Sequence, residues 1–574
     1  METYPYARFR ELLYDTLSTE DVELCLVSVG FTDWRSTLRR FHRIADAYQI
    51  RPTLAEMLPY LMLMLEGTAN PDAVIVYLER FLNRSTDPQA TVKILATNPR
   101  SIDILVRLFT GSQFLTEILL HHPEYFTQLV TLPHLAAHKS TCQLRAEIDA
   151  FTATLPSAEP DAHMDFLRQF QRREFLRIGV CDLLDLYDLP AVTLQLSNLA
   201  DSLVTASLDL ASTLTGISTE AFAVLAMGKL CGSELNYSSD IDLLFVALKN
   251  ADVYRPLGEK LIDILTRMTS EGFLYRVDMR LRPWGRSGSL ITACSGYLKY
   301  LETHARLWEK QALLKARVIA GDVQTGDGLL LAVTPMLFNT DPQTIRTDVF
   351  RMKKQTEHIL HQRGLSWGEV KLGEGSIRDV EFVIQYLQMA YGRVNPGIRS
   401  GNSFTALENL RAHELLLPYE YRILREGYVF LRTVEHHLQM MHYHQTHSLP
   451  ASAEALAHLA RRLGFEGKDS TAQFLERYTQ HREAIRALYL HHLRGDMMDI
   501  PGTHHPLLDD STHITRMDAS YTTVFSQDEI RHHTSLAMRL DHDNLVEIHI
   551  VPREGGQWIV TIVAFDYPGE LSLI

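Results

Sequence analysis

From the N-terminus to about Gly216 the apolar residues recur three and four apart, as in Ile102, Leu105, Val106 and Phe109, and again in Phe114, Ile118 and Leu119. That spacing lays one apolar stripe along each of a series of helices. Proline and glycine fall mostly between the runs, which predicts a helical region over residues 1–216 whose stripes pack on a shared core. The apolar stretch Met57 to Leu65 is too short to cross a bilayer, and Pro59 interrupts it.

The pattern changes at Ala221. Ala221 to Met227 (AFAVLAM) and Ile241 to Ala247 (IDLLFVA) are short apolar runs of strand length. Tyr275 to Arg282 (YRVDMRLR) alternates, with Tyr275, Val277, Met279 and Leu281 on one face and Arg276, Asp278, Arg280 and Arg282 on the other. These runs predict an α/β core with a mixed sheet over residues 217–335. Helical spacing returns near Thr344 and persists to about Arg494, giving a second bundle over 336–495. Residues 496–521 are mostly polar, with Pro501, Gly502 and Pro506, and read as a linker. Beyond them Val546–Val551 and Trp558–Phe565 read as strands of a last module, 522–574. The predicted chain is therefore multidomain and mainly α, with an α/β core flanked by helical bundles. No internal repeat is visible, so a single core of catalytic type is expected.

At 574 residues the chain is too long for one hydrophobic core. A net charge of -14 argues against general nucleic-acid binding, which needs surplus Lys and Arg. Cys25, Cys142, Cys181, Cys231 and Cys294 form no CxxC pair, so neither a disulfide framework nor a zinc cage is suggested. The opening residues do not read as a secretory signal, and a soluble cytoplasmic protein without a membrane partner is expected.

The stretch Gly228 to Asp242, GKLCGSELNYSSDID, carries the chemistry. On a strand, Asp240 and Asp242 leave the same face while Ile241 and Leu243 enter the core. Two adjacent carboxylates repel unless one is protonated or a cation lies between them, and hard oxygen ligands favour Mg²⁺ or Mn²⁺. Asp278 supplies a third carboxylate if its strand lies beside theirs, and such a trio suits in-line phosphoryl displacement. Gly232 and Ser233 precede the pair in a turn whose N–H groups could approach a triphosphate, and Arg276, Arg280 and Arg282 add positive charge. The bland alternative is a loop-end cap at Asp240 and a solvated Asp242.

These residues resemble a known family. Gly228 to Phe245, followed by Tyr275 to Gly288 (YRVDMRLRPWGRSG), looks like the nucleotidyltransferase core of the glutamine synthetase adenylyltransferase and adenylyl-removing family. Further resemblance lies in Trp308 to Asp322, Lys371 to Gln385 (KLGEGSIRDVEFVIQ), Leu431 to Pro450 and Phe170 to Asp182, so it covers about residues 90–495. The resemblance implies metal binding by Asp240, Asp242 and Asp278, phosphate contacts from the glycine turn, and ATP, or phosphate and ADP in reverse, as co-substrates. It also implies glutamine synthetase as target and a nitrogen-regulatory signal protein as a further partner. LNYSSDIDL and DMRLRPWG are closer to the removing half of that family. Cys231 and Ser376 stand where the family usually has glycine, so a narrowed phosphate approach is expected there. They also keep open a degenerate, non-catalytic regulator that only binds nucleotide or a partner.

Arg378, Glu381, Phe382 and Gln385 share a helix face, and the resemblance brings Arg378 and Glu381 to the active site, against a purely structural pair. Lys315 and Arg317 are candidates to neutralise phosphate, against a solvated helix face. His436, His437, His442, His444 and His447 lack a metal-binding spacing and are not taken as ligands, and His542-Asp543 is read as loop. Ala564 to Ile574 (AFDYPGELSLI) resembles the opening of an ACT domain, with Asp566, Pro568 and Gly569 shaping a turn suited to amino-acid sensing. The sequence stops before that fold closes, so a partial module is expected.

Overall fold

Side-chain caps open many of the helices in the N-terminal half. The helix Leu189–Thr215 starts where the Asp188 carboxylate accepts the Ala191 N–H at 2.9 Å and stops at Gly216 in the left-handed conformation. A computed structural model describes residues 5–494 except 15, 69, 133, 156–158, 366 and 443–445, and, further on, 515–517, 520–526, 546–553 and 557–564. Residues 1–494 form one compact unit and 495–574 another.

In the first unit, Ile102, Leu105, Val106, Phe109, Ile118 and Leu119 are all buried, as their spacing predicts, and Phe81 packs edge-on against Phe109 and Phe126. Pro59 does not break its helix, which runs from Arg51 to Leu65. Leu54, Leu58, Leu61 and Leu65 are buried along one side, and that packing holds the turn whose hydrogen bond proline removes. Among the described residues no helix is long and apolar enough to cross a membrane.

The sheet is small and mixed. β1 (Phe222–Met227) lies between β2 (Ile241–Ala247) and β5 (Ala316–Gly321), antiparallel to both, while β3 (Val277–Asp278) and β4 (Ile291–Ala293) pair parallel to β2. Alternation splits the central strands between two cores. Phe222, Val224, Ala226, Ile241, Leu243 and Phe245 face the N-terminal helices, whereas Ala223, Leu225, Met227, Leu244 and Val246 face a smaller cluster with Leu329 and Val333. The strand expected over 275–282 shrinks to two residues, because the Asp278 side chain accepts the Arg280 N–H at 2.8 Å and bends the chain out of the sheet.

After the sheet in chain order come the helices Pro342–Gln362, Ile377–Tyr391, Pro418–His442 and Ser470–Arg494. Ile377–Tyr391 is buried over most of its length.

The second unit is a four-stranded antiparallel sheet in the order β6 (Thr515–Met517), β7 (Ser520–Ser526), β9 (Gln557–Ala564), β8 (Val546–Arg553). The last two are the strands expected from the sequence. The stretch read as a linker contributes β6 and the start of β7, because Thr515, Arg516 and Met517 pair with Thr522, Tyr521 and Ser520. Pro501, Gly502, Pro506, His542, Asp543, Asp566, Pro568 and Gly569 lie outside the described residues.

Candidate active site

β2 begins one residue after Asp240, and Asp242 is its second residue. β3 runs parallel with Asp242 opposite Asp278, so both carboxylates project from the same side of neighbouring strands. The Asp242 carboxyl is pushed up to about 6, chiefly by burial and then by the charges of Asp278 and Asp240, while Lys371 and Arg280 pull it down. A shift of that sign means that burial and the two neighbouring carboxylates together outweigh the cations that act on Asp242. The other two acids have partners. Arg276 Nε lies 2.6 Å from Asp240 Oδ1, and Arg280 Nε lies 2.9 Å and 2.7 Å from the Asp278 oxygens. Burial alone would raise the Asp278 carboxyl, but its bonds to Arg280 hold it below the ordinary value.

Among the described residues no three acid, cysteine or histidine side chains already close around one point as an ion cage. Asp240 and Asp278 are turned to their arginines. The donor set nevertheless suits a hard divalent cation: oxygen ligands only, on adjacent backbone segments, with one carboxylate lacking a counter-charge.

The glycine that meets this corner is Gly228. β1 ends at Met227, opposite Asp242, and Gly228 turns the chain with φ +57° into the short helix Gly228–Cys231. A Cβ there would lie 2.6 Å from Asp242 Oδ2. Gly228→Ala is therefore expected to displace that carboxylate and lower turnover about 100-fold with helical content retained. A wild-type rate in this variant would show that the close approach is dispensable.

Several residues singled out from the sequence are engaged elsewhere. The N–H groups of Gly232 and Ser233, expected to face phosphate, donate to Gly228 O and Leu230 O at 3.3 Å and 3.2 Å. Gly232 is required for another reason: a Cβ there would come 2.7 Å from the Gly401 carbonyl. Lys315 and Arg317 sit on no solvated helix face. Lys315 is buried, with Nζ 3.2 Å from Glu234 and 2.8 Å from Ser403 Oγ. Arg317, on β5, donates to the Cys231 and Leu230 carbonyls and pairs with Asp201, so it braces the glycine turn. Arg282 donates to the carbonyls of Gly288, Met279 and Arg286 and closes the 279–288 loop on itself.

Arg378 pairs with the buried Glu381 at 3.2 Å and lies over Phe382. Burial would raise the Glu381 carboxyl, but Arg378, then Lys315 and Lys371, hold it down. Cys231 and Ser376, the two departures from the family's glycines, each have neighbours of their own. The thiol packs on Gly401, and the Ser376 hydroxyl donates to Lys371 O at 2.8 Å with Lys353 Nζ 3.2 Å away.

His436 Nε2 is 2.7 Å from Asp182 Oδ2 and His447 Nδ1 is 3.1 Å from Glu435, so each faces one carboxylate. His437 is pushed down to about 3, first by burial and then by Arg462 and His436, which keeps it neutral. The His442 side chain and His444 lie outside the described residues.

Sequence reasoning missed the polar cluster behind the glycine turn. Lys229 Nζ lies 2.8 Å from Glu435, which also accepts from Asn236 at 2.9 Å and lies 3.2 Å from Arg432. Arg432 in turn donates to Glu234 O and Asn236 Oδ1. The available signal was Arg432 and Glu435 three apart on one helix, with Glu234 and Asn236 inside the motif.

Residues 102–330 match the family model described as glutamate-ammonia ligase adenylyltransferase, and residues 349–492 match one described as PII-uridylyltransferase. The chain is 31% identical over 479 residues to the bifunctional glutamine synthetase adenylyltransferase/adenylyl-removing enzyme of Streptomyces avermitilis, covering 81% of this chain and 46% of that protein. Residues 102–330 thus carry a domain of the glutamine synthetase adenylyltransferase family. Enzymes of the same name from Hahella chejuensis and Nitrosococcus oceani are 32% and 34% identical, over 65% and 59% of this chain and 41% and 37% of theirs. The chain thus spans less than half the length of these curated relatives. The adenylyltransferase match contains Gly228 and the three aspartates, and the second match contains Lys371, Arg378, Glu381 and Glu435.

Proposed function

We propose that this chain transfers an adenylyl group to, or removes it from, a tyrosine of glutamine synthetase. The observation that carries the reading is the placement of Asp242 and Asp278 side by side on parallel strands, with Asp240 two residues earlier and the Asp242 carboxylate lying close against the backbone of Gly228. Asp240, Asp242 and Asp278 would hold Mg²⁺ or Mn²⁺, which when bound offsets charge on the reacting phosphate oxygens. Arg276 and Arg280 fix two of these carboxylates, and the missing side chain of Gly228 lets the third lie close against the backbone. The family domain supports ATP, or phosphate in the reverse direction, as co-substrate. The match to a PII-uridylyltransferase model supports a place in nitrogen signalling, with a regulatory signal protein as a second partner.

The test offers the chain unmodified glutamine synthetase with ATP, and separately the adenylylated enzyme with phosphate, each with Mg²⁺ or Mn²⁺. Intact mass of the target is then followed. Gain of AMP in the first arm or its loss in the second is expected, and abolished by chelation. Nucleotide binding with no change in either arm would assign the chain to regulation instead.

A further inference from the structure

Around the carboxylate corner almost every cation already has an acid. Arg276 is on Asp240, Arg280 on Asp278, Lys315 on Glu234, Arg317 on Asp201, Lys229 and Arg432 on Glu435, and Arg378 on Glu381. Arg282 is spent on backbone carbonyls and Arg286 is exposed, which leaves Lys371 as the half-buried cation without an acid. Among the described residues no carboxylate lies within ion-pair distance of its ammonium group, although its charge acts on Asp242, Glu381 and Glu435 at once.

Its backbone, by contrast, is tied on both sides. The Glu369 carboxylate accepts the N–H groups of Lys371 at 3.0 Å and Gly373 at 2.9 Å, and that of Leu372. The Lys371 carbonyl accepts from Ser376 Oγ at 2.8 Å and from the Arg378 N–H at 3.0 Å. The loop is also pinned toward the corner. The Val370 N–H donates to His447 O at 2.8 Å, His447 faces Glu435, Glu435 holds Lys229, and Lys229 follows the glycine that abuts Asp242.

A half-buried lysine with no ion pair of its own is suited to meet an anionic ligand, and the tied backbone keeps its Cα beside the corner. On the other side of the corner Asp242 is a carboxylate in want of a cation. A ligand that satisfies both brings anionic oxygens to the lysine and a divalent ion to the acids, which is the make-up of a metal-bound polyphosphate. We propose that Lys371 binds phosphoryl oxygens of the nucleotide opposite Asp240, Asp242 and Asp278. This rests on the nucleotidyltransferase reading above and adds a contact from the second family-matched region to a site otherwise built from the first. The lysine thereby takes the role that Lys315 and Arg317 are too committed to fill.

The test is equilibrium binding of ATP with Mg²⁺ to the full chain. Lys371→Met keeps the aliphatic stem and removes the charge, and should weaken ATP binding about 10- to 100-fold, the range for losing one charge-assisted hydrogen bond. Lys371→Arg should recover most of the affinity. The thermal midpoint without nucleotide should not fall in Lys371→Met, since no ion pair is broken. Independently of any variant, ATP should protect Lys371 of the wild-type chain from acylation, read residue by residue by mass spectrometry. Unchanged affinity in Lys371→Met, or a Lys371 acylated equally with and without bound ATP, overturns the inference and leaves the functional reading standing. A wild-type chain that binds neither ATP nor ADP with metal overturns both.

Discussion

Replacement of Asp242 by asparagine is expected to reduce AMP exchange by about 1000-fold or more while making the folded chain more stable above pH 6. The first half follows from the role of the corner. Removing the central carboxylate of a cation-holding trio forfeits several kcal/mol of transition-state stabilisation, and each 1.36 kcal/mol is tenfold in rate. The second half follows from the Asp242 carboxyl being raised from 3.8 to about 6 by burial and by Asp278 and Asp240. Between those pH values the folded chain binds more protons than the unfolded one, so stability falls as pH rises from about 4 to about 6, and the penalty is complete above that. Its size is about 2–3 kcal/mol at 1.36 kcal/mol per pH unit, the lower end allowing for the residue being only partly shielded from water. Asparagine never carries that charge. A divalent ion seated on Asp242 cancels the same penalty, so Mg²⁺ or Mn²⁺ should raise the wild-type Tm more at pH 7.5 than at pH 5 and leave the variant unmoved. Calorimetry at the two pH values, alongside turnover, checks both halves. An active Asp242→Asn chain, or an equal metal-induced shift in both proteins, would remove the basis for a metal site here.

How much of this was legible beforehand differs between fold and site. Helical stripes such as Ile102 to Phe109 and apolar strand runs such as Ile241 to Ala247 were readable because burial on one face or two leaves a period in the sequence. Asp242 and Asp278 were readable because alternation fixes which face a strand residue takes, and the register of β3 on β2 placed Asp278 opposite Asp242, while Asp240 lies one residue before the strand. The cations were harder to assign. Arg or Lys near a motif has the same letter whether it faces a phosphate, as proposed for Lys371, or a carboxylate 81 residues away, as Lys315 does with Glu234. Pairing across such separations is set by helix packing, which leaves no local spacing to read. The two-residue strand at Val277–Asp278 shows a similar limit, because a side chain that captures a neighbouring N–H ends the strand while the alternation continues in the letters.

The polar cluster behind the glycine turn leads to a prediction of the opposite kind, in which the fold is lost along with the activity. Glu435 is fully buried and receives Lys229, Arg432, Asn236 and His447. Burial by itself would raise its carboxyl, but Lys229, the contact with His447 and Arg432 hold it well below the ordinary value. Glu435→Gln keeps the shape and removes the charge, leaving the buried Arg432 and the half-buried Lys229 without their shared acid, and should cost about 3 kcal/mol in urea unfolding at pH 7. Because the carboxyl is depressed in the folded state, its contribution is present above about 4.5 and is lost as pH falls through the folded value. The gap between wild type and variant should therefore close in acid. Arg432→Met combined with Glu435→Leu removes both sides of one pair, and should destabilise less than the sum of its single variants, since neither charge is left stranded by the other. Lys229 adjoins Gly228, so Glu435→Gln should also impair AMP exchange, whereas Asp242→Asn impairs exchange alone. A cost under about 1 kcal/mol for Glu435→Gln would mean that water, and not Glu435, balances Lys229 and Arg432.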